Sequence, residues 1–146
     1  MDKKEQIADS ELKKEYLNQY RENKAAVERI EEQLRQFEIK ELSPKISTMD
    51  VGPHGSRVIK DLSDYMVKKD ELVSKMLRAR YNRICKYQEI FEAIEEMANE
   101  QERRVLTLRY IKGMKWEKIA VEMHVEWAQV HRIHAKALRN FVIPIK

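Results

Sequence analysis

Residues 100–141 read EQERRVLTLRYIKGMKWEKIAVEMHVEWAQVHRIHAKALRNF, and the spacing of apolar side chains in this stretch decides the fold. Ile119, Ala120 and Met123 share one face of a short helix predicted over Trp116–Met123. His124, Val125 and Glu126 form a brief connection. A longer helix is predicted from about Trp127 to Phe141, with Val130, Ile133, Ala137 and Phe141 turned inward. The small side chain of Ala120 suits a steep, close helix crossing. This is the spacing of a helix-turn-helix, whose second helix fits the major groove of DNA. Just upstream, Asn99 is predicted to cap a further helix, with Glu102 completing a capping box. Gly113 is predicted to end that helix as a left-handed cap.

Outward from that stretch, charge is unevenly placed. Residues 101–146 hold ten Lys or Arg against four Glu, a net +6, whereas residues 1–100 hold nineteen against twenty-one, a net −2. A basic C-terminal segment on a nearly neutral body points to a polyanionic partner. With 37% charged residues, three Gly and three Pro, the composition suits long solvated helices. Cys85 stands alone, so the chain cannot close an internal disulfide or build a multi-cysteine metal cage. The N-terminal residues lead into no apolar run. Neither a signal peptide nor a membrane span is predicted, and a cytoplasmic location is expected.

The N-terminal part divides into two long helical runs. The first, about 10–42, carries Tyr16, Tyr20, Val27, Ile30, Leu34 and Phe37 at alternating three- and four-residue steps, with Asn23 in the missing place. Ser43–Pro44 is predicted to break it, opening a loop over 43–56. The second, about 57–98, has a seam of Met66, Val73, Met76 or Leu77, Ile84, Tyr87, Phe91, Ile94 and Ala98, interrupted by Asp70 and Arg80. Helices of this length need a partner to bury their seams. An antiparallel, coiled-coil-like hairpin is the simplest answer. Pairing between chains is the alternative, and a homodimer of hairpins satisfies both. The expected architecture is all-α, with a helical hairpin over 1–98 and a three-helix helix-turn-helix domain over 99–146.

Leu106–Tyr110 (LTLRY), Trp116–Ala120 (WEKIA) and Ala135–Arg139 (AKALR) resemble region four of the bacterial sigma factors. The whole chain is similar in pattern to small phage-encoded, sigma-like transcriptional regulators (ArpU-like), with Gln129–His134 (QVHRIH) in the last helix. The resemblance implies a sequence-specific DNA-binding regulator of phage or prophage type in a bacterial host cytoplasm. It further implies a second contact, with RNA polymerase. Carried over position by position, the DNA-contacting places around Val130 fall on Trp127, Ala128, His131 and Arg132. Arg132 is the candidate for reading a guanine edge, and His131 and Gln129 for a base or phosphate. Lys136 and Arg139 are candidate phosphate anchors. This sequence departs from the sigma pattern at Glu126, Trp127 and Ala128, so a sigma-like promoter preference does not follow. Trp127 either touches a thymine methyl or packs on the preceding helix, and Trp116 is expected in the core.

The residues point to no catalysis. They include no phosphate-cradling glycine loop, paired-carboxylate motif or activated nucleophile. His131 and His134 lack further ligands for a metal and read as polar residues facing DNA or solvent. No cofactor or metal is expected. Two rival readings stand beside the regulator: a phage DNA-packaging protein resembling a small terminase subunit, and a coiled-coil adaptor whose C-terminal domain binds protein only.

Overall fold

The computed structural model describes residues 2–47 and 55–145, with side chains described outside 41–60. The fold is all-α, with no strand among the described residues. Helix α1 spans Lys3–Ser47 and α2 spans Gly55–Glu95. Then come α3 (Glu100–Leu106), a π-helical turn at Thr107–Ile111, α4 (Trp116–Met123) and α5 (Trp127–Asn140). The chain forms two compact units, one of residues 1–23 with 83–146 and the other of 24–82.

Several sequence expectations shift. Helix α1 begins at Lys3 rather than near residue 10 and carries through Ser43–Pro44 to Ser47. Proline forfeits one backbone N–H and crowds the preceding turn, but its fixed φ is itself compatible with a helix. Half of the expected loop over 43–56, residues 48–54, lies outside the described residues. Helix α2 stops at Glu95, and the N–H of Met97 bonds the Ile94 carbonyl at 3.0 Å, closing a tighter final turn.

In the unit of residues 24–82, α1 and α2 run antiparallel. Phe37 stacks on Tyr65 with ring centroids 5.1 Å apart, Glu38 pairs with Lys69 at 3.3 Å, and Glu31 pairs with Arg80 at 2.6 Å. The α2 seam differs from the expected one. Tyr65 is buried and Leu72, Met76 and Ala79 are half-buried, whereas Met66 and Leu77 remain more than half exposed. In the other unit, Ile90, Ala93, Ile94 and Met97 are buried, while Ile84, Tyr87, Phe91 and Ala98 are exposed. At 100° per residue, α2 thus carries two apolar stripes roughly 100° apart. The predicted heptads followed, for most of their length, the stripe that the hairpin leaves uncovered.

The unit of residues 1–23 and 83–146 contains two cores. One gathers Tyr16 and Leu17 of α1, Ile90 and Ile94 of α2, Leu106, Tyr110, and Ala137, Leu138 and Phe141. The other holds Leu108, Ile119, Ala120 and Val130, edged by Met114, Trp116, Met123 and Val125. One stretch of chain feeds both because Leu106 and Tyr110, four residues apart, share a side of the helix and Leu108, two from each, lies opposite. The Lys112 N–H bonds the Thr107 carbonyl five residues back, at 3.0 Å. This bond makes Thr107–Ile111 a π turn rather than a continuation of α3.

The caps follow the sequence closely. Asn99 Oδ1 accepts the Glu102 N–H at 3.1 Å, and Gly113 has φ +68°. The reciprocal half of the expected capping box is absent. The Glu102 carboxylate is buried and instead accepts from Asn140 Nδ2 at 2.9 and 3.2 Å, tying the start of α3 to the end of α5.

Candidate nucleic-acid interface

Helix α4 and helix α5 meet through His124–Glu126, as the sequence predicted. The turn closes with the Val125 N–H on the Ala120 carbonyl at 3.1 Å, and His124 takes the left-handed conformation at φ 56°, ψ 41°. That conformation is sterically costly for a residue with a side chain. Ala120 is 8% exposed and lies in the second core with Ile119 and Val130. Ala120→Leu is therefore expected to overpack the crossing and cost about 1–3 kcal/mol. Thermal melting of the intact chain checks this, and an unchanged midpoint would mean that the crossing has room.

Val130, Ile133, Ala137, Leu138 and Phe141 bury one side of α5. On the opposite side, Ala128, Arg132, Ala135, Lys136 and Arg139 are all exposed, and no acidic residue occurs in α5. The Arg132 Nη1 donates to Gln129 Oε1 at 3.2 Å, which aligns the guanidinium along the first turns of the helix. Gln129 and Arg132 line an open groove with Ala120, Val121, His124 and Val125 beneath them, and with Glu126. Glu126 makes no side-chain cap bond, so the first turn of α5 lacks the hydroxyl or amide cap that would satisfy its N–H groups.

The aromatic residues form a row of tilted and edge-on ring contacts on the flank of this surface. Trp127 is 54% exposed, with its ring 4.1 Å from that of His131. His131 in turn lies 4.8 Å from Trp116, and Trp116 lies 4.6 Å from His134. The Arg109 guanidinium sits over Trp116 at 4.5 Å and donates to the Met114 carbonyl at 3.0 Å. The Trp127 ring packs on His131 of its own helix and keeps more than half of its surface exposed. Trp116 edges the second core rather than filling it.

The two histidines have different surroundings from those expected. His134 is buried and shares a 2.8 Å hydrogen bond with the Tyr110 hydroxyl through Nε2. Burial, with Lys14, His131 and Arg109 nearby, pushes its pKa down to about 4. Burial likewise pushes the Tyr110 hydroxyl up to about 12, with Arg109 pulling the other way. His134 follows Val130 by four positions, so it belongs to the inward face, and its solvent- or DNA-facing assignment is corrected. His131 is half-buried, and its Nε2 is enclosed without a hydrogen-bond partner among the described residues. Among the described residues no group of His, Cys, Asp or Glu has the arrangement of a metal site.

Sequence reasoning missed the residues that hold α5 in place. Lys13 is buried, and its Nζ donates to the carbonyls of Leu138 at 2.8 Å and Arg139 at 3.3 Å, with Asp9 at 3.0 Å balancing the charge. A cation on the last carbonyls of a helix is well placed against the helix dipole. Arg104 similarly reaches the Glu122 carbonyl near the end of α4 at 3.3 Å. Lys13 lies 125 residues from Leu138 in the chain, and no local pattern links them.

Comparison with known proteins places this geometry. No curated protein and no solved structure matches the chain. Residues 99–140 match the family described as Sigma-70, region 4. The matched residues run from the Asn99 cap to the last residue of α5, so the helix-turn-helix of this chain is similar to that region.

Proposed function

We propose that the protein is a sequence-specific, DNA-binding transcriptional regulator of phage or prophage type, acting in the bacterial cytoplasm without catalysis or a cofactor, with α5 entering the major groove. The observation that carries this reading is the outer side of α5. Its exposed residues are basic, small or amide, none is acidic, and they lie beside the turn of a helix-turn-helix similar to Sigma-70, region 4. Arg132 reads a base edge, Gln129 fixes its orientation or contacts a base itself, and Ala128 allows close approach. Trp127 presents an apolar face to a thymine methyl. His131 contributes by bracing Trp127, because its Nε2 is enclosed. Lys136 and Arg139 hold phosphates. Double-stranded DNA is the principal partner, and RNA polymerase is a second one that the resemblance to sigma factors supports.

Arg132 and Lys136 separate a sequence reader from a charge patch. Arg132→Ala is expected to cost about 1–3 kcal/mol on the preferred site and to flatten discrimination between sites. Lys136→Ala is expected to weaken preferred and scrambled DNA by similar factors and to lower the salt slope by roughly one ion. The measurement selects DNA fragments with the purified protein, then titrates both variants on the selected and scrambled sequences across a salt series. If neither variant changes the specificity ratio, α5 is not a reader.

A further inference from the structure

The uncovered stripe of α2 has an order that the hairpin does not explain. Met66, Asp70, Val73, Leu77, Arg80 and Ile84 alternate four- and three-residue steps, the spacing of a coiled-coil seam. Met66, Leu77 and Ile84 are each more than half exposed, and Val73 is half-buried. Two charges of opposite sign interrupt the row. Asp70 makes no hydrogen bond or ion pair among the described residues, while Arg80 gives Nε and Nη2 to Glu31. A guanidinium has five N–H donors, so the Glu31 bond leaves Arg80 with donors to spare.

Reversing the row and laying it on itself matches every level. Asp70 falls opposite Arg80, Val73 opposite Leu77, and Met66 opposite Ile84. A parallel pairing in register sets Asp70 on Asp70 and Arg80 on Arg80, where like charges oppose association. We propose that this face of α2 binds the same face of a second copy of the chain, antiparallel, about a two-fold axis level with Lys75. Two symmetry-related Asp70–Arg80 pairs fix the register, and the apolar levels between and beyond them supply the buried contact. Each hairpin then buries its second stripe, and the two hairpins together make a four-helix arrangement. This proposal is independent of DNA binding.

Charge reversal provides the test, with association followed by sedimentation equilibrium on the full chain. Wild-type protein is expected to dimerise at micromolar concentrations. Asp70→Arg sets two guanidinium groups against each other at both charged levels, and Arg80→Asp sets two carboxylates there. Each variant alone is therefore expected to weaken the dimer about tenfold or more. Mixing the two single variants aligns opposite charges at both contacts, and the mixture is expected to dimerise where neither component does. The doubly reversed chain is likewise expected to regain the wild-type affinity. Far-ultraviolet circular dichroism checks that each variant keeps its helix content, which is expected because the exposed Arg80–Glu31 pair adds little stability. A monomeric wild type, single variants that dimerise undiminished, or a mixture no better than its components would each overturn the proposal.

Discussion

Truncating Phe141 to alanine is expected to destabilise the chain by about 3–5 kcal/mol, the range for removing a buried ring that its surroundings cannot refill. Phe141 is fully buried, lies 6.0 Å from the Tyr16 ring, and packs with Leu17, Ile90 and Ile94. Its N–H also closes α5 on the Ala137 carbonyl at 2.8 Å. The segment from Asn99 onward therefore does not complete its own core, since α1 and α2 supply the facing side. Denaturant unfolding of the variant measures the cost. A loss below about 1 kcal/mol would show that the end of α5 is not anchored there.

Acid should reach the same unit through His134. An unfolded histidine titrates near 6.5, whereas the folded side chain is held down to about 4. Below pH 6.5 the unfolded chain takes up a proton that the folded one refuses. Stability is therefore complete above that pH and falls as the pH drops toward 4. The loss is expected to reach about 2–3 kcal/mol. Carboxylates add their own dependence at the acid end, so pH 6.5 to 5 is the informative window. His134→Gln keeps a hydrogen-bonding group for Tyr110 and cannot titrate, so its unfolding free energy should vary less across that window. Equal slopes in the two proteins would remove His134 as the cause.

The C-terminal helices were legible in the sequence nearly to the residue, because their signals are local. Asn99, Gly113 and the apolar spacing of Ile119, Ala120, Val130, Ile133 and Ala137 each fix a cap or a face within one or two turns. What the sequence concealed depends on distant partners. Lys13 reads as one more solvated cation until α5 is laid beside it. Glu102 reads as half of a capping box until Asn140 offers a better partner. On α2, periodicity identified a real stripe but could not say what it meets, since a helix with two apolar faces satisfies the same template twice. His134 is polar by chemistry but inward by position, four residues from Val130, and position prevails. The outer side of α5 was readable as a set of exposed residues, but the enclosure of His131 between two tryptophan rings was not.

The π turn at Thr107–Ile111 makes chain length itself a determinant in this stretch. Ordinary α geometry would close the same turn with one residue fewer, so this segment behaves as a helix holding a single inserted residue. Removing one residue here would not simply shorten a connection. It would let the turn close in ordinary α geometry with the residues on either side still in phase, whereas the same deletion in a plain α-helix turns every later side chain by about 100°. A one-residue deletion in the middle of α5, by contrast, would leave every apolar residue present and misdirect those that follow it.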